Sequence, residues 1–552
     1  METKKKFLNA AYAEWVYEAL KVLPVLVFIY LALVWIDFFR AQKRKGTVWI
    51  NRIAGTLVDS LSQNKAFIVS LGKPVATALF CCLGVQLVVN IYFSGALPVS
   101  YDEWWSYSHF SGRGVWYSLS RYPLPNNHVL YNVISSLFLL LPLDVELAIR
   151  MPSVLSSLIC SYLLFKIFKF GFGNMLSLIL LTLVNTSFFY TMYGFQGRGY
   201  SFLCLFTVLL MYATLHLLNN YRSSYKYRFY LILALVAGHL ALPSFLYAAF
   251  TVLPVFGLQL LSQKRFSDFF LLVKDSVVSG ILILASYSFI LFFNDPEYLL
   301  NPNGGASKFK LDENGSLDKI REHYSTIGNY LAGFNYALLW IALFVVIIVF
   351  LNKRKQGYEY HYLTILSVFM LLSPLPIVAI HRVLPFERNW LYLIFPFYIG
   401  VGIVIKSLMN ILIAKRLPGK VSFARNFVFI LIGIVMAVQL IKFDLYYHRV
   451  PLEFEERQLA ETELKPFLGK ISKVAYTDVG FEFHVAHVIE SMSFRESKNV
   501  WIEGNVLVTV ADQDLLVIHS SRLSRHSSHL TSFKFVKRIA GEFNVFIRTS
   551  LL

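Results

Sequence analysis

Two adjacent carboxylates, Asp102 and Glu103, are the first candidates for chemistry in this sequence, and we call them the acidic pair. They follow an apolar stretch and are flanked by aromatic residues, which suits a site at a membrane surface. A carboxylate there could accept a proton from an attacking hydroxyl or hold a divalent metal ion. The alternative is structural, because acidic side chains at the start of a helix interact favourably with the helix dipole.

A polar segment, Pro125–His128, follows the acidic pair. His128 could serve as a second metal ligand or as a hydrogen-bond partner of a substrate, and Asn127 beside it offers an amide. His239 lies at a predicted turn between two apolar stretches. A single histidine at such a turn either binds a substrate or is satisfied by structural contacts.

Two arginines at the boundaries of apolar stretches could bind an anion. Arg198 is the only charged residue over two consecutive apolar stretches, and a cation near the membrane interior is costly unless it has an anionic partner. That partner could be a lipid phosphate or the acidic pair; alternatively, the side chain extends to the lipid headgroups. The planar guanidinium of Arg388 could bind phosphate through two hydrogen bonds. Trp390 and Tyr392 nearby are typical of interfacial aromatic residues.

The elements that would position these residues are membrane-spanning helices. Of 552 residues, 56% are hydrophobic and 15% are charged, whereas soluble proteins carry roughly 25% charged residues. The formal net charge of +18 does not indicate nucleic-acid binding, because the basic residues cluster in short loops between apolar stretches. The four cysteines lie inside apolar stretches without metal-ligand spacing, so we interpret them as small core residues.

The apolar stretches predict about twelve transmembrane helices. Phe229–Leu261 is uncharged for 33 residues. As a single helix it would be roughly 50 Å long, against a hydrocarbon core of about 30 Å, so we predict two shorter spans that turn near His239–Pro243. The other predicted spans are Leu20–Phe39, Pro74–Phe93, Met151–Phe168, Asn174–Tyr193, Gly199–Leu218, Ser276–Phe293, Tyr336–Leu351, Tyr362–Ile380, Asn389–Ile405 and Phe427–Ile441.

Every second loop is rich in lysine and arginine, and these loops are predicted to be cytoplasmic. Residues 1–443 then form an all-α polytopic transmembrane domain with two long outer segments, 94–150 and 294–335. Val129–Leu143 is predicted to be a helix at the outer interface. Residues 444–552 are predicted to form a small extracytoplasmic α/β domain with a helix at Gly480–Glu490. Its predicted strands are Lys473–Tyr476, Val506–Val510, Leu515–Ile518, Phe533–Val536 and Val545–Ile547.

The order of these features resembles the GT-C superfamily of lipid-phosphate-sugar glycosyltransferases, and most closely its protein O-mannosyltransferase and aminoarabinose transferase branches. Members of that superfamily place an acidic motif in the first outer loop, as at Asp102-Glu103. Asn127–Tyr131 is similar to a motif that follows it, but lacks the prolines of that motif. Other motifs of the superfamily lie at the ends of its membrane spans. Similar motifs occur here at Arg150–Ser153, at Gly197–Ser201 and, in altered form, at Arg388–Pro396.

The resemblance implies transfer of a sugar, with inversion, from a polyprenyl phosphate to a glycan, lipid or protein acceptor on the outer face of a bacterial cytoplasmic membrane. Asp102 would be the base or part of a metal site, and Glu103 would assist acceptor or metal binding. Arg198 and Arg388 would hold the donor phosphate. The other implied substrate-binding residues are Asn127, His128, Tyr200 and His239. A divalent metal ion, where one is used, would be held by Asp102 and His128.

Two other functions are compatible with such a chain. A secondary transporter also commonly has about twelve spans, but the long outer segments and the outer C-terminal domain favour an enzyme, as does the lack of a visible repeat in the sequence. A non-catalytic envelope assembly or lipid-binding protein of the same fold would keep the acidic pair without using it. Tolerance of an Asp102→Asn substitution would identify that last case.

Overall fold

The computed structural model of the chain describes residues 60–97, 99–122, 127–293, 307–310, 322–323, 325–327, 358–381, 383–414, 441, 473–476, 501–504, 515–519, 527–539 and 543–551. Several predicted elements lie outside these residues. They are the spans Leu20–Phe39 and Tyr336–Leu351, nearly all of Phe427–Ile441, the strand Val506–Val510 and the helix Gly480–Glu490.

The described residues divide into two compact units. The first unit comprises those within Met1–Tyr92 and His109–Leu440, and the second those within Phe93–Ser108 and Ile441–Leu552. The helices, in chain order, are α1 (Lys73–Ala96), α2 (Tyr101–His109), α3 (Val115–Ser120), α4 (Val129–Phe138), α5 (Val145–Phe172), α6 (Asn174–Asn185), α7 (Phe188–Phe195), α8 (Tyr200–Leu217), α9 (Tyr225–Ala241), α10 (Phe245–Ser262), α11 (Phe266–Phe293), α12 (Tyr358–Leu372), α13 (Pro374–His381) and α14 (Ile394–Ala414).

Within the described part of the chain, six helices are long and apolar enough to cross a membrane. They lie in α1, α5, α8, α10, α11 and Glu387–Ser407. A seventh span is formed if α6 and α7, which meet at an angle of 68°, are taken together. The chain is therefore a polytopic α-helical membrane protein, and the larger number of about twelve spans stays a prediction.

The burial of these helices separates a central helix from peripheral ones. Nearly every residue of α8 is buried, because α5, α9 and α10 pack around it, and this explains why its sequence is apolar on all sides. In contrast, only 17% of the apolar windows of α1 and α11 is buried, as expected of helices that face lipid.

The predicted break in the long uncharged stretch is confirmed. Helix α9 ends at Ala241 and α10 begins at Phe245, so the turn falls next to Pro243. The Phe245 ring packs back against Gly238, where a Cβ would approach the ring to 2.7 Å. A side chain at position 238 would force the two helices apart.

The second unit contains a five-stranded sheet. Its strands are β3 (Lys473–Tyr476), β4 (Trp501–Gly504), β5 (Leu515–His519), β6 (Phe533–Ile539) and β7 (Phe543–Arg548), in the order β4-β3-β5-β7-β6. Strands β4, β3 and β5 are parallel, and β7 and β6 are antiparallel to their neighbours. Four of the five predicted strands are confirmed, and β4 was not predicted. A separate ribbon in the first unit pairs β1 (Ser307–Lys310) with β2 (Val383–Pro385).

Candidate active site

His128 and Arg198 are brought together where α4 begins and the turn before α8 ends. The Gly199 N–H donates to His128 Nδ1 over 2.8 Å, and Arg198 Nη2 lies 3.3 Å from His128 Nε2. A neutral imidazole that accepts at Nδ1 carries its proton on Nε2. The Nε2–H group and the guanidinium are therefore both donors at the same place, and an oxygen anion could accept from both.

Burial and charge keep His128 neutral. Its side chain is 2% exposed, and Arg198 is 1% exposed. Burial lowers the pKa of His128 well below its usual range, and the charges of Arg198 and Arg388 lower that pKa further. Arg198 does not extend to the lipid headgroups, so the alternative interpretation of this residue is wrong.

Tyr200 is the centre of this group. Its ring lies 5.3 Å from the His128 ring, and the guanidinium carbons of Arg198 and Arg388 lie 5.9 Å and 5.5 Å from its centroid. We call His128, Arg198, Tyr200 and Arg388 the Tyr200 cluster. Tyr200 is also the first residue of α8, whose dipole adds positive potential at this end. The cluster concentrates positive charge in a buried place, which favours an anionic ligand.

Gly199 allows the close approach on which the cluster depends. A Cβ at this position would lie 2.5 Å from His128 Nδ1 and 2.8 Å from the carbonyl oxygen of Ala241. No side chain fits there without moving the imidazole or the end of α9. The glycine therefore brings three segments of the chain together at the cluster.

A buried hydroxyl network holds the turn that carries Arg198. Ser201 Oγ donates to Ser153 Oγ over 3.1 Å, and Ser153 Oγ donates to the Gln196 carbonyl over 2.5 Å. That carbonyl also accepts from the Arg198 N–H over 2.7 Å. Tyr131 joins the network, since its hydroxyl lies 3.0 Å from Ser153 Oγ and donates to the Ile149 carbonyl. Apart from its place in a family-like motif, no sequence feature indicated this role of Ser153.

Replacing Ser153 with alanine is expected to misplace Arg198 and lower the affinity for an anionic ligand, and with it kcat/KM, by about tenfold, because the Gln196 carbonyl loses one of its two donors at a cost of about 1 kcal/mol. Ser156→Ala is the matched control: Ser156 is equally buried on the same helix, but its hydroxyl donates to the Ser153 carbonyl of its own helix. Steady-state kinetics of both purified variants would test this. Equal losses in the two would show that Ser153 has no special role.

Arg388 lies on a segment with its own anchors. Trp390 Nε1–H donates to His323 Nε2 over 3.0 Å, which leaves the His323 proton on Nδ1, 3.9 Å from a Glu387 carboxylate oxygen. The Trp390 ring stacks on Tyr247 of α10 at 5.0 Å. Trp390 and Tyr392 are 1% and 0% exposed, so the interpretation of both as interfacial aromatics is wrong. They are core residues that fix the Arg388 segment against its neighbours.

Two other predicted ligands have contacts of a structural kind. Asn127 donates to the carbonyls of Ser118 and Arg121 over 3.0 and 2.7 Å, and accepts from Asn132 over 2.8 Å. His239 contacts the Leu235 carbonyl of its own helix through Nδ1, and lines an apolar groove of about 760 Å³ between α9, α10 and α11. Substrate binding by either residue stays a prediction.

The acidic pair belongs to the second unit, where it begins α2. The Ser100 N–H donates to Glu103 Oε2 over 2.8 Å, as in a capping box in which the third helical residue accepts from the N-cap residue. Glu103 thus has the helix-starting role that the alternative interpretation assigned to the pair. Asp102 is half-buried, and its partnership with the Tyr200 cluster stays a prediction.

A metal ion does not fit His128. Nδ1 accepts from the Gly199 N–H, and Nε2 faces a guanidinium that would repel a cation. Among the described residues, no group of three or more histidine, cysteine, aspartate or glutamate side chains could hold a metal ion. The expectation that His128 is a metal ligand is therefore not supported by the donor set around it.

The neutral state of His128 has a consequence for stability. The unfolded chain binds a proton at this residue below about pH 6.5, while the folded protein does not. Stability from this residue is therefore fully present above pH 6.5 and is expected to fall as the pH falls below that value. The midpoint of thermal unfolding, measured between pH 8 and pH 5, should decrease less in His128→Gln than in the wild type. Parallel pH profiles for the two proteins would contradict a buried neutral His128.

A comparison with protein families matches the part of the chain that contains most of the Tyr200 cluster. Residues 127–290 match the family model described as dolichyl-phosphate-mannose-protein mannosyltransferase. This range includes His128, Arg198 and Tyr200, whereas Arg388 lies outside it. No curated protein matches the sequence.

Two solved structures of ArnT from Cupriavidus metallidurans have a similar fold. The apo structure has a TM-score of 0.55 at 12% identity and covers 87% of this chain and 99% of that chain. The structure bound to undecaprenyl phosphate has a TM-score of 0.56 at 13% identity and covers 86% of this chain and 98% of that chain. The predicted resemblance to GT-C glycosyltransferases is confirmed, and the chain is an integral membrane protein with that fold.

Proposed function

We propose that this protein is a membrane glycosyltransferase that moves a sugar from a polyprenyl phosphate to an acceptor on the extracytoplasmic face of the membrane. One observation carries the proposal most strongly. Two guanidinium groups and a neutral histidine surround Tyr200 at the start of a membrane-spanning helix, and this buried positive site suits a phosphate.

The donor chemistry follows from the charges of the cluster. In the reaction, the bond between the anomeric carbon and the phosphate oxygen breaks, and the phosphate leaves with both bonding electrons. Arg198, Arg388 and the His128 Nε2–H would stabilise the charge that develops on that oxygen. Because His128 and Arg198 are buried, little water competes for them, and their effect on the transition state is larger than it would be in solution.

The acceptor chemistry is assigned to the acidic pair. The acceptor hydroxyl forms a bond to the anomeric carbon from the face opposite the phosphate, which inverts the configuration, and its proton passes to Asp102. This assignment rests on the sequence resemblance. Glu103 supports the base by starting the helix on which Asp102 lies. Where the reaction uses a divalent ion, Asp102 is the residue we assign to it.

The substrates and location are part of the same proposal. One of the ArnT structures is bound to undecaprenyl phosphate, and the matching family model is named for a dolichyl-phosphate mannose donor. Both names describe a lipid-phosphate carrier, which supports a polyprenyl-phosphate sugar as donor here. The acceptor is a glycan, a lipid or a protein. The basic loops support an active site and a C-terminal domain outside the cytoplasm, and the bacterial cytoplasmic membrane is the proposed location.

The experiment that tests this function is release of free polyprenyl phosphate. Purified protein would be incubated with a panel of polyprenyl-phosphate sugars and a crude envelope extract as the source of acceptor. We expect release with at least one donor and none with nucleotide sugars. Turnover of nucleotide sugars alone, or movement of a solute across proteoliposomes without any chemical change, would contradict the proposal.

A further inference from the structure

Three lysines gather at the membrane end opposite the Tyr200 cluster, the end predicted to be cytoplasmic. Lys166 and Lys169 lie in the last two turns of α5, and Lys226 lies in the first turn of α9. Each donates to a neutral oxygen of the helical residues 60–70. The acceptors are Asn64 Oδ1 for Lys166 at 2.9 Å, Ser70 Oγ for Lys169 at 3.4 Å and Gln63 Oε1 for Lys226 at 2.9 Å.

Aromatic rings hold the same ammonium groups. Lys166 Nζ lies 5.0 Å from the Phe67 ring centroid, 5.5 Å from that of Tyr162 and 5.0 Å from that of Tyr212. Lys169 Nζ lies 4.7 Å from the centroid of the same Phe67 ring, so the two lysines share one aromatic ring. Such rings attract a cation but carry no net charge, and the positive charge of the pair is therefore not neutralised.

The arginines at this end, unlike Lys166 and Lys169, have acidic partners. Arg228 forms a bidentate pair with Asp275 at 2.7 Å, and Arg265 pairs with Asp268 at 2.7 Å. Arg222 also lies 3.5 Å from Asp268. Over the described parts of the chain, Lys166 and Lys169 have no acidic partner. Asp268 and Asp275 thus pair with arginines, whereas Lys166 and Lys169 keep a charge that no carboxylate of the described residues compensates.

Lys226 lies beside this pair of lysines. Its Nζ lies 5.7 Å from the rings of both Tyr227 and Tyr230, and the Tyr227 ring packs edge-on against Tyr212, which faces Lys166. Lys166 and Lys169, which we call the lysine site, are both half-buried, so their charges remain accessible to a ligand. They lie at the end of membrane-spanning helices, where the phosphates of lipids are the most abundant anions.

We infer that the lysine site binds the phosphate of an anionic phospholipid headgroup. The Asn64 amide and the rings of Phe67 and Tyr212 hold the two ammonium groups in place, and the phosphate supplies a negative charge to them. Basic pockets between transmembrane helices on the cytoplasmic side bind anionic headgroups in this way. The site is separate from the Tyr200 cluster and does not depend on the proposed glycosyl transfer.

The test is a lipid titration of the purified full-length protein in detergent, with the midpoint of thermal unfolding as the readout. Phosphatidylglycerol is expected to raise the midpoint more than phosphatidylcholine does. In the double variant Lys166→Gln/Lys169→Gln, the apparent affinity for phosphatidylglycerol should fall on the order of 30-fold, since each lysine near a charged membrane contributes a factor of about five. Lys264→Gln is the matched control, because Lys264 is an exposed lysine at the same end.

Three outcomes would overturn the inference. The first is an equal response to phosphatidylglycerol in the double variant and the wild type, and the second is an equal loss in Lys264→Gln. The third is an equal rise in the midpoint with inorganic phosphate at the same concentration, because the site would then select a free anion and not a lipid.

A measurement on the wild type alone keeps the inference testable if the double variant does not fold. The specific response to phosphatidylglycerol should weaken as salt is added, and a response insensitive to salt would contradict a charge-based site.

Discussion

Replacing Arg198 with glutamine is expected to lower kcat/KM for the lipid-phosphate donor by about 10²–10³-fold, as when a buried donor to a developing oxyanion is removed. Arg198 is 1% exposed and shares its anion-binding place with the His128 Nε2–H, so water cannot readily replace the lost charge. The guanidinium would contact the phosphate in both the ground state and the transition state. Affinity for free polyprenyl phosphate should therefore fall together with turnover.

Two variants are suitable controls for Arg198. Arg198→Lys keeps the charge but loses the planar fork, and its activity should lie between those of the wild type and Arg198→Gln. Arg113→Gln removes an exposed arginine that lies over the Tyr117 ring, and it should keep nearly full activity. If Arg198→Gln were as active as Arg113→Gln, the Tyr200 cluster would not be the donor-phosphate site.

Replacing Asp102 with asparagine is expected to lower kcat by about 10²–10⁴-fold, the usual contribution of a general base. Asparagine keeps the size of the side chain but cannot take up the acceptor proton. Because the donor phosphate is assigned to the arginines, its affinity should stay at the wild-type value. Measurement of kcat beside the binding constant for polyprenyl phosphate separates the two effects.

Substitutions of two other acids, Glu103 and Asp144, serve as controls for Asp102. Glu103→Gln weakens the hydrogen bond from the Ser100 N–H, and it should lower the free energy of unfolding by about 1 kcal/mol, like the loss of a helix cap. Asp144→Asn changes an exposed acid that also precedes a helix, and it should leave kcat unchanged. A normal kcat in Asp102→Asn would contradict the assignment of Asp102 as the base.

Much of the fold was predictable because it depends on composition along the chain. Long apolar runs predicted the spans, and the excess length of Phe229–Leu261 predicted the turn that now lies between Ala241 and Phe245. The strands β3 and β5 were readable because their β-branched and aromatic residues are grouped in short runs. In each case, the sequence pattern and the structural element that it predicts involve residues that are neighbours along the chain.

The site was only partly predictable, since its geometry depends on contacts between distant residues. His128, Arg198 and Arg388 were identified by type and by their place at the ends of apolar runs. That Tyr200 lies at their centre, and that Ser153 holds the Gln196 carbonyl, depends on the packing of α4, α5 and α8. The burial of Trp390 was missed for the same reason, because an aromatic residue next to a span looks interfacial until a partner such as His323 is known.

Binding of the donor phosphate by the Tyr200 cluster is tested most directly by equilibrium binding of undecaprenyl phosphate to the purified wild type, Arg198→Gln and Asp102→Asn. We expect the wild type and Asp102→Asn to bind the lipid equally well, and Arg198→Gln to bind it at least tenfold more weakly, since hydrogen bonds to charged groups contribute about 1.5–3 kcal/mol. Wild-type affinity in Arg198→Gln would contradict the claim that the Tyr200 cluster binds the donor phosphate.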